Sequence, residues 1–150
     1  MKIFFITPLL IFIWSNSVMA QVSDERIVEV VIEVRGIEVE RGGNIIVMLF
    51  GKDGFPKKHD KALFTQTKMA TKNLMTFRFE LDMEEIAVKI LHDENEDGKV
   101  TKNWTGIYPK EGLGFSNDQQ VRLTGPPKYN YSKLSKEHFR HGLNISIKYP

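Results

Sequence analysis

Residues 28–35 read VEVVIEVR, and the spacing of their apolar side chains decides the fold class. Val28, Val30, Ile32 and Val34 fall on one side of an extended chain, and Glu29, Val31, Glu33 and Arg35 on the other. A period of two belongs to a strand with one buried and one wet face. Outward from this stretch the period recurs. Met75, Phe77, Phe79 and Leu81 alternate with Thr76, Arg78 and Glu80; Ile86, Val88, Ile90 and His92 alternate with Ala87, Lys89 and Leu91. Near the end of the chain, Leu143, Ile145, Ile147 and Tyr149 alternate with Asn144, Ser146 and Lys148. The run NIIVMLF at 44–50 is apolar on both faces, which predicts a central strand. Residues 62–69 and 120–124 are weaker strand candidates, and SKLSKEHFRHG at 132–142 predicts a short helix ended by Gly142. Glycine and proline turns at 40–44 and 51–56 separate the runs. The fold class expected is all-β, an antiparallel two-sheet β-sandwich of about seven strands.

The first twenty residues carry Lys2, an apolar run from Ile3 to Trp14, and the small residues Val18 and Ala20. That is the layout of an export signal, with cleavage expected between Ala20 and Gln21. The apolar run is short for a bilayer span and no second one follows, so no membrane span is expected after cleavage. Residues 21–150, roughly 130 in number, suit a single β-sandwich domain in the periplasm or outside the cell. With Lys2 set aside from the 21 lysines and arginines, the remaining basic residues nearly balance the 19 acidic ones. Near neutrality argues against nucleic acid or an anionic membrane as partner, since both demand a clustered basic excess. The cluster Lys57, Lys58 and Lys61 is expected on a solvated loop. There is no cysteine, so disulfides do not hold the fold.

HDENEDGK at 92–99 is the segment richest in chemistry. Asp93, Asn95 and Asp97 alternate and Gly98 follows, the first half of a calcium loop of the helix-loop-helix type. The second half is missing: Trp104 stands where such a loop places its bidentate Glu, and IAVKILH before it has strand spacing. The candidate metal ligands are Asp93, Asn95, Asp97, the Lys99 carbonyl, Thr101, and Glu111 from the following loop, with calcium as the cation. The alternative is an acidic turn whose Asp and Asn side chains cap nearby backbone amides.

GIYPKEGLGFSN at 106–117 follows, and the 93–118 stretch is expected to be one long irregular loop. A candidate binding surface comprises His92, Trp104, Tyr108, Glu111, Phe115, Ser116 and Asn117. The other expectation for its aromatic residues is that they plug an open end of the sandwich. A catalytic set is hard to assemble: Ser116 lies in GFSND and not in a nucleophile elbow, no HExxH occurs, and His138 with His141 makes half a metal site at most. His92 is expected at the rim of the core.

HDENEDGK, GIYPKEGLGFSN and GPPKYNYSKLSKEHF, preceded by VEVVIEVRG, NIIVMLF and GKDGFP, together resemble the exported bacterial family known as domain of unknown function 2141. The resemblance covers nearly all of residues 21–150. It implies an extracytoplasmic β-sandwich similar to prealbumin-like or immunoglobulin-like modules, and no activity. Members usually carry an acidic residue shortly after the Gly-Lys pair, where this chain has Thr101. The function expected is a non-enzymatic binding or scaffolding module, with an envelope protein or a glycan as partner. The alternative is a hydrolase or carbohydrate-active enzyme using the 92–117 loop.

Overall fold

Alternating side chains build strands here, and continuous apolar runs place some of them between two covering layers. The computed structural model describes residues 27–150, so the expected export signal and its cleavage site lie outside the described residues. Among the described residues there are eight strands: β1 (Val28–Arg35), β2 (Asn44–Phe50), β3 (Phe64–Met69), β4 (Leu74–Leu81), β5 (Glu85–Asp93), β6 (Leu113–Phe115), β7 (Leu134–Ser135) and β8 (Leu143–Ser146). Two short helices, α1 (Tyr129–Ser132) and α2 (Lys136–Arg140), flank β7. The strands form two sheets, one ordered β4-β1-β8 and the other β3-β2-β5-β6 with β7 also pairing β5. This is the all-β two-sheet sandwich that the periodicity predicts.

β1 and β4 pair antiparallel without a break from Val28↔Leu81 to Arg35↔Leu74. That register sends Val30, Ile32 and Val34 to the same inner face as Phe77, Phe79 and Leu81. Ile45, Val47 and Leu49 of β2 meet them from the facing sheet, with Ile86, Val88 and Ile90 of β5. Phe139 of α2 is fully buried against this core. One pairing departs from the antiparallel pattern: β8 runs parallel to β1, with Ile32 opposite Leu143.

The five-stranded sheet has no wet face at its centre. On its outer side Ile46, Met48, Phe50 and Leu91 pack beside Leu113 and Phe115 of β6, with Phe55, Val100 and Val121 from the loops above. Phe55 meets Phe50, Phe115 and Tyr129 edge to face, at centroid distances of 5.7, 6.2 and 6.2 Å. This second layer explains why NIIVMLF is apolar at every other position and in between.

Four local expectations are revised. Residues 120–124 form no strand; they make a tight turn in which the Arg122 amide donates to the Gly125 carbonyl at 3.0 Å. The weaker candidate at 62–69 shortens to β3. The stretch 93–118 is interrupted by β6, whose three residues are too few to show a period. The helix expected over 132–142 is divided: Ser132 ends α1, β7 follows, and Lys136–Arg140 is helical before Gly142, which has φ +77°.

Candidate functional site

The acidic loop leaves β5 at Asp93, a position fixed by the cross-strand pair Asn44↔Asp93. Asp93 is buried, and its carboxylate accepts hydrogen bonds from the amides of Asp97 (3.2 Å) and Gly98 (2.8 Å). Asn95 Oδ1 also accepts from the Asp97 amide, and Asp97 accepts from the Lys99 amide at 2.7 Å. The Asn95 side-chain amide donates to Asp97 and to the Thr101 hydroxyl. Glu111, 3% exposed, closes the loop: its two oxygens accept from the amides of Glu94 (3.1 Å) and Thr101 (2.7 Å). Carboxylates that accept amides are strong local fasteners. A calcium shell needs six to eight converging oxygens. Here the side-chain oxygens of Asp93, Asn95, Asp97 and Glu111 turn to amides, and among the described residues no three acidic, His or Cys side chains gather as a metal group.

The other sequence candidates divide by burial. His92 is fully buried; its Nε2–H donates to the Gly42 carbonyl (2.7 Å), so Nδ1 accepts the Tyr149 hydroxyl proton (2.6 Å). Tyr149 Oη in turn accepts from the Glu38 amide at 3.0 Å, and the Arg41 guanidinium lies 4.6 Å from its ring centroid. Burial pushes the Tyr149 phenol above its ordinary pKa. Ser116 is also buried, donating to the Ser132 carbonyl at 2.5 Å and accepting from the Val88 amide at 3.0 Å. A hydroxyl so engaged fastens β5 to α1 and is not an exposed nucleophile. Asn117 bonds the carbonyls of Tyr131 and Lys133, and Phe115 belongs to the outer apolar layer. Trp104 is 95% exposed and plugs nothing, and Tyr108 is exposed as well.

A different group stands out. Lys89 points to the outer face of the five-stranded sheet, between Met48 and Phe115 in register, and is only 3% exposed. Its ammonium donates to the Pro56 carbonyl (2.9 Å) and to His59 Nε2 (2.6 Å). The far side of that ring, Nδ1–H, donates to the Gly98 carbonyl at 2.9 Å. One chain of hydrogen bonds thus ties β5, the 51–63 loop and the tip of the acidic loop. Burial lowers the Lys89 pKa to about 8. Burial, and then the charge of Lys89, pull His59 below its ordinary value, so the imidazole is a neutral acceptor.

Lys89 lies at the wall of a cavity of about 720 Å³. The size suits a small-molecule site. Val100, Ile107, Leu113, Phe115 and Val121 give it an apolar side. Lys57, Lys58, Lys99 and Lys102 join Lys89 in its lining, against Asp60 and Asp97. Lys57 and Lys58 are exposed on their loop, as expected, and also line the cleft. Sequence periodicity put Lys89 on a wet face; its neighbours Ala87 and Leu91 on that face were the signal that the face is covered.

Among the described residues no helix is long and apolar enough to cross a membrane. Comparison with curated proteins and with solved structures found no match. A family model described as "Uncharacterized protein conserved in bacteria (DUF2141)" matches residues 32–140. The match runs from the middle of β1 to the end of α2 and includes every residue of the acidic loop and of the cleft named above. The chain belongs to the DUF2141 family of bacterial proteins.

Proposed function

We propose that the protein is an exported, non-enzymatic binding module whose ligand enters the cleft above Lys89. The observation that carries this is the cavity itself: a concavity of about 720 Å³ with an apolar side and a buried lysine in its wall. Such a combination of apolar contact and a few fixed polar groups is the usual form of a small-molecule site. Export is supported by the apolar run from Ile3 to Trp14 and the small residues Val18 and Ala20. The polar side chains first suspected of chemistry, His92 and Ser116, are engaged in holding strands and loops together, which favours binding over hydrolysis.

A neutral environment-sensitive dye, Nile red, tests the reading directly. Saturable binding at one site per chain, lost when Val121→Asp puts a charge on the apolar side, is the expected result. Absence of saturable binding refutes a ligand cleft. In the same series, a thermal melt with millimolar calcium and with chelator tests the cation expected at Asp93, Asn95 and Asp97. A rise in Tm with calcium means that these oxygens exchange their amide donors for the ion. Export is tested by sequencing the protein recovered from the cell envelope, with Gln21 expected as its first residue.

A further inference from the structure

We propose that the cleft takes a small organic anion, an apolar body carrying a carboxylate that seats against the Lys89 ammonium. This deepens the binding reading and rests on it. Lys89 is a charged group removed from water with only neutral acceptors beside it, the Pro56 carbonyl and the His59 imidazole. Buried charges are ordinarily paired, because a lone one forfeits its hydration without an opposite charge in return. Among the described residues no carboxylate lies within ion-pair distance of Lys89, although seven other lysine or arginine pairs with carboxylates form elsewhere. A ligand carboxylate supplies the missing partner.

The surroundings select the same charge and add a shape. Five lysines against two aspartates line the cavity, whereas the whole chain holds 21 basic and 19 acidic side chains. The excess is therefore local. Lys57, Lys58, Lys99 and Lys102 stand at the exposed rim of the cavity, and only Lys89 is buried, beside Leu113, Phe115 and Val121. An amphiphilic acid places its apolar body on those side chains and its head toward Lys89. Of the groups facing Lys89, His59 presents a lone pair and no charge; Lys57, Lys58, Lys99 and Lys102 are cations that reinforce the field, and Asp60 and Asp97 oppose it.

Calorimetric titration of the whole protein with octanoate, octanol and octyltrimethylammonium keeps the tail constant and changes the head. Octanoate is expected to bind at one site, at least about ten-fold tighter than octanol, with no saturable binding of the cation. Lys89→Met is expected to reduce octanoate to the level of octanol. In the unaltered protein, octanoate affinity falls as pH rises through about 8, where Lys89 loses its proton, and binding near that pH takes up protons from the buffer. Equal affinity for octanoate and octanol overturns the anion assignment, and so does an octanoate affinity flat across that pH range. If Nile red binds while octanoate does not, the cleft stands and the anion falls; if neither binds, both readings fall together.

Discussion

Replacing Lys89 with methionine keeps the length of the side chain and removes its charge. A lysine whose pKa falls from 10.5 to about 8 on folding disfavours the folded state, while protonated, by about 3 kcal/mol. The sign follows from proton counts. Between these two values the unfolded chain binds more protons than the folded one, so the Lys89 contribution to stability improves as pH rises through that window. Below about 8 both states are protonated and the full cost remains. Methionine has no such window. The difference in unfolding free energy between Lys89→Met and the unaltered protein should therefore shrink by about 2 kcal/mol between pH ~7.5 and pH ~10. The Pro56 carbonyl and His59 Nε2 lose a donor in the variant, which costs roughly 1–3 kcal/mol at either pH and cancels in the comparison. Tyr129 and Tyr149, whose phenols burial pushes above their ordinary pKa, are present in both proteins and cancel as well. Urea denaturation of both proteins at the two pH values reads the quantity directly. A difference that stays constant across the range would mean that Lys89 keeps an ordinary pKa, and the account of a desolvated, unpaired ammonium would be wrong.

Glu111→Ala frees the amides of Glu94 and Thr101 together and should destabilise by about 1–3 kcal/mol, with faster hydrogen exchange at both amides while β1 and β4 remain protected. Tyr149→Phe removes the acceptor of the Glu38 amide and the donor to His92 Nδ1; a loss of roughly 1–3 kcal/mol in denaturant unfolding is expected, and an unchanged midpoint would deny that this buried relay fastens the C-terminal segment. Gly43→Ala should be among the most damaging single changes. A Cβ there would stand 2.2 Å from the Asp93 carbonyl oxygen, on a residue at φ +70°, so β2 must pull away from β5 where the acidic loop begins. A variant that melts within a degree or two of the unaltered protein would contradict that close approach.

β1 and β4 were legible because each has one wet and one dry face, so every second residue reports its side of the sheet. β5 was legible as a strand but misread as half wet. Its polar residues Lys89 and His92 are buried through specific hydrogen bonds to segments far along the chain, and periodicity carries no record of such partners. β6 escaped notice because three residues, the middle one Gly114, form no pattern. The acidic loop was found as a chemical cluster, yet Asp93 and Glu111 carry out in the fold what sequence also allowed, the capping of amides. The cleft was not visible at all. Its basic wall comes from residues 57–60, 89 and 97–102, which meet only when β2 and β5 pair and two loops fold over them. Lys57 and Lys58 look like ordinary surface lysines until that meeting occurs.

The parallel pairing of β1 with β8 joins residues more than a hundred positions apart, Ile32 beside Leu143. Until β8 has arrived, β1 has a neighbour on one edge only, and its second row of backbone amides and carbonyls is open to any passing strand. Closure of the smaller sheet therefore waits on β8, however early β1 and β4 have paired. A nonsense mutation ahead of Leu143 would leave a sticky, unfinished sheet in place of a slightly shorter product.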